Sequence, residues 1–238
     1  MNTKILFFAI FSALIASCTI STNNKSTLNS LSEKEKKEGW QLLFDGKTTD
    51  MWKKFNGEEV EGWKIEDGIL SNSGVGSDHG GDIITKAQFE NFELSLEWKI
   101  DSVSNSGIFY LVQEGLTDAI YQSGPEYQLL DDVNCPEKLE PHQYSGANYA
   151  MHAPVNATVK PVGEWNKSRI IKNNTQVEHW LNGNKVVEYN LWDDEWYAIK
   201  ANSKWKDEEE YGMANEGHIG LQDHGGLTMF RNIKIKTL

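Results

Sequence analysis

Two short stretches of this chain place groups capable of proton transfer on one side of an extended backbone. In Pro125-Glu126-Tyr127-Gln128-Leu129-Leu130-Asp131-Asp132, side chains two apart share a face of a strand. Glu126 and Gln128 therefore point one way, while Tyr127 and Leu129 enter an opposite, apolar layer. In Gly217-His218-Ile219-Gly220-Leu221-Gln222-Asp223-His224, Ile219 and Leu221 take the core positions. That parity sends His218, Gln222 and His224 to the other face together, with Gly220 leaving room above the sheet. Singly, each of these residues reads as an ordinary half-exposed strand position. As a set, a carboxylate, two imidazoles and two amides supply a base, proton donors and the hydrogen-bonding groups that suit a hydroxyl-rich ligand.

Such residues need strands to hold them, and the sequence is rich in strand signals. Residues 91–100 alternate without error: Phe92, Leu94, Leu96, Trp98 and Ile100 on one face, Glu93, Ser95, Glu97 and Lys99 on the other. Further strands are predicted over 106–112, 169–172, 176–181, 185–189, 218–221 and 230–236, separated by Gly, Asn and Asp. Asn182-Gly183-Asn184 reads as a hairpin turn. No helical pattern follows the strands, so parallel βαβ units are excluded and two antiparallel sheets packed face to face are expected. Most of the nine tryptophans, Trp98 and Trp165 among them, are expected in the core. The acidic segment 193–211 breaks the pattern; Trp192, Trp196 and Ile199 fit one face of a short helix, and such an excursion either rims a binding site or decorates the surface.

Residues 1–17 carry a charged start at Lys4 and an apolar run from Ile5 to Ile15, too short to span a bilayer and suited to a signal peptide. Ile15-Ala16-Ser17-Cys18 resembles the lipobox of bacterial lipoproteins, which makes Cys18 the expected lipidation site. Thr19 follows the cysteine, and by resemblance to outer-membrane lipoproteins the expected location is the outer membrane, facing the periplasm. Residues 18–38 then form a polar tether, flexible over 19–30, and a short charged helix with capping-box spacing at Ser32 and Glu35, stopped by Gly39. Residues 39–238, about 200 in number, suit one large domain. The formal charge of −12, more negative by one once Lys4 is removed, argues against a nucleic-acid partner. Cys135 is the one cysteine besides Cys18 and reads as a small buried residue rather than a nucleophile.

From Gly39 onward, a series of short motifs resembles the bacterial 3-keto-disaccharide hydrolase family. They are Gly39-Trp40-Gln41-Leu42-Leu43-Phe44-Asp45-Gly46-Lys47, Asn105-Ser106-Gly107-Ile108, Glu126 through Asp131, Gly163-Glu164-Trp165-Asn166, His179-Trp180-Leu181-Asn182-Gly183, Gly220 through Gly225 and Phe230-Arg231-Asn232-Ile233. Each is short, but seven in order are specific. The resemblance implies an all-β, concanavalin-like jelly-roll sandwich with short peripheral helices, and cleavage of 3-keto-glycosides outside the cytoplasm.

Laminarinase-type enzymes on a similar sandwich carry two carboxylates at alternating strand positions. Here the residue two along from Glu126 is Gln128, and two further is Leu130. An amide neither forms a glycosyl ester nor donates a titratable proton, so an ordinary retaining mechanism does not fit that strand. A 3-keto sugar offers another route, because the ketone acidifies the hydrogen on carbon 2. A base removes it, the enolate expels the aglycone from carbon 1, and water adds back. In that scheme Glu126 is the base or a ligand-orienting carboxylate, His224 the acid/base, and Asn105, Gln128 and Gln222 hold sugar oxygens. Asp131, His218 and Arg231 complete the expected substrate contacts. A divalent metal bound by some of Glu126, His218 and His224 is an alternative electrophile. The parity of Ile233 and Ile235 points Arg231 inward, where it would partner a buried acid. The rival reading is a non-catalytic carbohydrate-binding surface lipoprotein.

Overall fold

A computed structural model describes residues 27–72, 74 and 81–238. The signal-like stretch, Cys18 and the tether as far as residue 26 lie outside the described residues. The described strands are β1 (Gln41–Leu42), β2 (Trp52–Lys54), β3 (Lys64–Glu66), β4 (Ile69–Ser71), β5 (Ile83–Phe89), β6 (Phe92–Ile100), β7 (Asn105–Val112), β8 (Glu126–Leu130), β9 (Asn166–Asn173), β10 (Gln176–Leu181), β11 (Asn184–Asn190), β12 (Gly217–Leu221) and β13 (Thr228–Thr237). They make two antiparallel sheets. The larger runs β11-β10-β9-β6-β13-β4-β3 with β1 also on β13, and the smaller runs β2-β5-β12-β7-β8. Helix α1 spans Glu33–Lys37 and α2 spans Asp194–Asn202, both at the periphery of the sandwich.

The error-free alternation of β6 is what seats the larger sheet on the core. Phe92, Leu94, Leu96 and Trp98 are buried against Ile108 and Tyr110 of β7, Tyr127 and Leu129 of β8, Ile219 and Leu221 of β12 and Ile233 and Ile235 of β13. Each such side chain contributes about 1.5–3 kcal/mol on leaving water. The indole N–H of Trp98 donates to Ser168 Oγ at 2.8 Å, so the ring is buried without an unmet donor. Asn182 and Gly183 both take positive φ, 49° and 91°, as a two-residue hairpin turn requires between β10 and β11.

Three expectations fail at breaks in the regular pattern. Arg231 does not point inward: β13 carries a bulge at Asn232 (φ 53°), where the pairing jumps from Arg231↔Glu97 to Lys234↔Ser95. The extra residue reverses the parity, and Arg231 lies on the outer face, its Nε 2.7 Å from Glu97. Trp165 is not core either; it is half-buried on the same outer side with the Arg231 guanidinium 3.9 Å above its ring. The tether is shorter than expected, because Asn29 is docked on the sandwich. Asn29 and Asn232 exchange two 2.8 Å hydrogen bonds, and the Asn29 amide donates to Gly68 O at 2.7 Å.

Candidate active site

The face of the smaller sheet turned away from the core assembles most of the expected groups. In the β7–β8 ladder Asn105 lies opposite Leu130, Gly107 opposite Gln128 and Phe109 opposite Glu126, so these side chains share a face. Gln222 joins them, since its N–H donates to Gly107 O at 3.0 Å. His224, two residues beyond, stands at the mouth. Asn105, Glu126, Gln128, Gln222 and His224 line one cavity of about 270 Å³ together with Tyr121, Tyr149, Lys204 and Trp205. The alternation in the two stretches that could do chemistry thus leads to one place.

Why Glu126 fits there is a matter of the neighbouring strand. A β-carbon on Gly107 would stand 2.5 Å from Glu126 Oε1 and 2.9 Å from its Cγ, so only glycine leaves the carboxyl its space. Glu126 is 5 % exposed, and burial pushes its pKa up to about 8, against the attraction of Lys204 and with a smaller push from the charge of Asp82. Asp82 is itself raised to about 6 by burial, although it accepts the Asp223 N–H at 2.9 Å. Two amide oxygens in the cavity, Asn105 Oδ1 and Gln222 Oε1, are buried with no hydrogen-bond partner. An unsatisfied buried acceptor costs about 1–3 kcal/mol, and a donor supplied by a ligand removes that cost.

The opposite wall comes from segments with no strand pattern. Residues 145–152 run along the free edge of β8: Gly146 N–H donates to Gln128 O at 2.9 Å, Gln128 N–H to Ala147 O at 3.1 Å and Tyr149 N–H to Glu126 O at 3.0 Å. That strap covers an edge that would otherwise be open and sets Tyr149 at the cavity. Helix α2 starts at Asp193, which accepts the Trp196 N–H at 2.8 Å, and is anchored by the buried Trp196. The turn after it delivers Lys204 and Trp205. The Trp205 indole donates to Tyr149 O at 3.0 Å and stacks on Tyr211 with centroids 4.6 Å apart. Lys204 Nζ then lies 4.4 Å from the centre of the Tyr149 ring and 4.3 Å from that of Trp205. Burial holds its pKa below the usual lysine range, and the charge of Glu126 opposes that shift.

Three predicted contacts are not made in this cavity. His218 is absent from it because it stands at the far end of β12 from Gln222, opposite Val112 and Gln88, whereas Gly220 faces Phe109 and Ile84. Its ring is engaged elsewhere, with Nδ1 2.6 Å from Thr85 O and Nε2 3.0 Å from the Gln88 amide. The metal set of Glu126, His218 and His224 is therefore not assembled, and no cluster of three or more His, Cys, Asp or Glu is placed to hold an ion among the described residues. Asp131 organises the chain: Oδ2 accepts the Val103 N–H and the Asn134 amide, both at 2.9 Å, and Oδ1 accepts the N–H groups of Val133 and Asn134. Arg231 belongs to the other sheet. Tyr121, Tyr149, Lys204, Trp205 and Asp82 escaped the sequence reading; the nearest signal was the acidic excursion that carries the Lys204-Trp205 pair.

A polar cleft with a buried carboxyl on one sheet of a jelly-roll sandwich defines a carbohydrate-active protein. Residues 39–236 match the family model described as a 3-keto-alpha-glucoside-1,2-lyase-like domain, and the chain belongs to this family. It is 38 % identical over 230 residues to the 3-keto-disaccharide hydrolase of Bacteroides thetaiotaomicron, covering 84 % of this chain and 79 % of that one. A crystal structure of a candidate glycosyl hydrolase from Parabacteroides distasonis superposes with a TM-score of 0.84 at 42 % identity, over 89 % of this chain and 100 % of that one. The carbohydrate-binding module CBM66 of Bacillus subtilis, at 12 % identity and a TM-score of 0.50 over 79 % of this chain and 96 % of that one, shares the fold alone. The protein is a glycoside-cleaving hydrolase.

Proposed function

We propose that the cavity cleaves 3-keto-glycosides by eliminating the aglycone across carbons 1 and 2 and then adding water. The observation that carries this reading is a single carboxyl, Glu126, buried beside orphaned amide acceptors with no second acid two residues away. In the ionised form it takes the proton from carbon 2. The electron pair is delocalised onto the carbon 3 oxygen, where the Lys204 ammonium stabilises the enolate. The enolate re-forms its carbonyl as the carbon 1 to oxygen bond breaks, and the departing oxygen takes a proton from His224. Water then adds to carbon 1, with a proton returned to carbon 2. Asn105 Oδ1 and Gln222 Oε1 accept from sugar hydroxyls, and Tyr149 and Trp205 offer ring edges and faces to the sugar. The family model carries the word lyase and the Bacteroides relative the word hydrolase; elimination followed by hydration is a lyase step within a net hydrolysis. We further place the protein in the bacterial cell envelope, lipid-anchored through Cys18 and on the periplasmic side of the outer membrane.

Turnover in deuterated water distinguishes this route from displacement at carbon 1. Label is expected at carbon 2 of the 3-keto-glucose product, in excess of the exchange seen without enzyme. Glu126→Gln is expected to lower the rate about 100-fold or more, and the unoxidised disaccharides trehalose and cellobiose are expected to remain intact. Unlabelled product, or efficient cleavage of the unoxidised sugars, would overturn the scheme.

A further inference from the structure

Lys204 reaches the cavity from a turn, where its ammonium lies between the rings of Tyr149 and Trp205. Its place therefore depends on what holds those two rings. Tyr149 is tied to the strand that carries the base, since its N–H donates to Glu126 O at 3.0 Å. Trp205 is tied to Tyr149 through its indole N–H, and its face lies on Tyr211. The next hold stands outside the cavity. The Tyr211 hydroxyl donates to Asn148 Oδ1 at 3.2 Å, and the Asn148 amide nitrogen donates to His152 Nδ1 at 3.1 Å. Backbone bonds join Asn148 and His152 in both directions, at 3.1 and 2.9 Å. Asn148 and Tyr211 are both fully buried, and neither lines the cavity.

We propose that Tyr211 and Asn148 are positioning residues, a buried brace that holds Trp205, and through it Lys204, in place against Glu126. The inference rests on the proposed elimination, in which Lys204 meets the enolate oxygen. Apolar contact is non-directional, so the stack on Tyr211 alone would let the Trp205 ring slide. Hydrogen bonds in a buried, satisfied chain select one arrangement, and Asn148 uses both ends of its amide in this one. Both holds on Trp205 thus end on adjacent residues of the strap, Asn148 and Tyr149. The strap is itself bonded to β8 at Glu126 and Gln128. Base and cation are in this way fixed to one stretch of backbone. Burial pushes the Tyr211 phenol well above its usual pKa, so the hydroxyl stays a donor.

The test compares Tyr211→Phe with Tyr189→Phe in the full-length protein, on a 3-keto-glycoside that the parent cleaves. Each substitution deletes one buried hydroxyl and keeps its ring; the Tyr189 hydroxyl is bonded to that of Tyr110 at 2.6 Å and takes no part in the brace. Tyr211→Phe is expected to lower kcat about five- to tenfold with KM within about twofold, because the stack survives and the aim of the ammonium counts only as charge develops. Its pH inflection is expected to move upward, as in Lys204→Met, since a displaced cation favours the Glu126 carboxylate less. Tyr189→Phe is expected to lower the melting temperature by a similar amount while kcat and the inflection stay at their parental values. In a Lys204→Met background, Tyr211→Phe is expected to change kcat by less than about twofold. Parental kcat and inflection in Tyr211→Phe, an equal loss of kcat in Tyr189→Phe, or an undiminished loss in the Lys204→Met background overturns the brace and leaves the elimination standing. Failure to cleave any 3-keto-glycoside, or a Lys204→Met protein with parental kcat and unlabelled carbon 2, overturns both.

Discussion

The chemistry of the cavity depends on whether Glu126 is ionised, and burial and two neighbours bear on that. Burial is the main reason its pKa stands at about 8; Lys204 pulls it down and Asp82 pushes it up. A base acts only when deprotonated, so kcat/KM is expected to rise with pH through about 8. The two charges give opposite tests. Lys204→Met removes a cation that favours the carboxylate, so the inflection is expected to move to higher pH, with a lower plateau because the enolate also loses its partner. Asp82→Asn removes an anion that disfavours the carboxylate, and the inflection is expected to move to lower pH, by about one unit or less because Asp82 is the smallest of the three contributions, with the plateau within a few-fold of the parent. Asn keeps the acceptor for the Asp223 N–H, so the backbone there stays in place. A profile flat from pH 6 to 9, or two variants that shift the same way, would contradict the assignment of Glu126 as base.

Among the elements, β7 does more for the site than its own side chains suggest, because Gly107 makes room for the carboxyl of the next strand. Gly107→Ala places a methyl 2.5 Å from Glu126 Oε1 and 2.9 Å from the Phe109 ring, and the carboxyl, being the mobile member, is expected to swing away. Loss of activity of about 100-fold with a small change in stability is the expected outcome. In a Glu126→Gln background the same glycine substitution is expected to cost little more, a non-additivity that a double-mutant cycle reads directly. Additive losses would mean that Gly107 serves the fold and not the carboxyl. Alternation was enough to read this arrangement where strands are regular: Glu126 with Gln128, Gln222 with His224, and the inward row of β6 all followed from period two. It failed at the irregularities. A bulge at Asn232 turned Arg231 outward, because one inserted residue inverts every parity beyond it; His218 lies four residues along the chain from Gln222 and pairs with Val112 and Gln88, away from the cavity. Lys204, Trp205 and Tyr149 were hidden for a different reason. Their positions follow from the packing of Trp205 on Tyr211 and the strap at the edge of β8, which are contacts across the chain rather than local patterns.

At the scale of the whole molecule, the catalytic groups all lie between Asp82 and His224, while the proposed anchor stands at Cys18. What joins them is short. Because Asn29 is hydrogen-bonded to Asn232 and Gly68, the ten residues from Thr19 to Leu28 set the reach, which is at most about 35 Å. A lipid at Cys18 would therefore hold the domain within roughly its own diameter of the bilayer surface. A single acyl chain binds a membrane only weakly, and stable attachment needs more than one, as a lipidated N-terminal cysteine provides. Cys18→Ala is expected to move the protein from the membrane fraction to the soluble one in cells of its source type, with kcat/KM on a 3-keto-glycoside within about twofold of the parent, since no catalytic group comes from the anchored end. Membrane association that survives the substitution would sink the anchor, and release accompanied by a collapse of activity would show that the N-terminal segment contributes to the site after all.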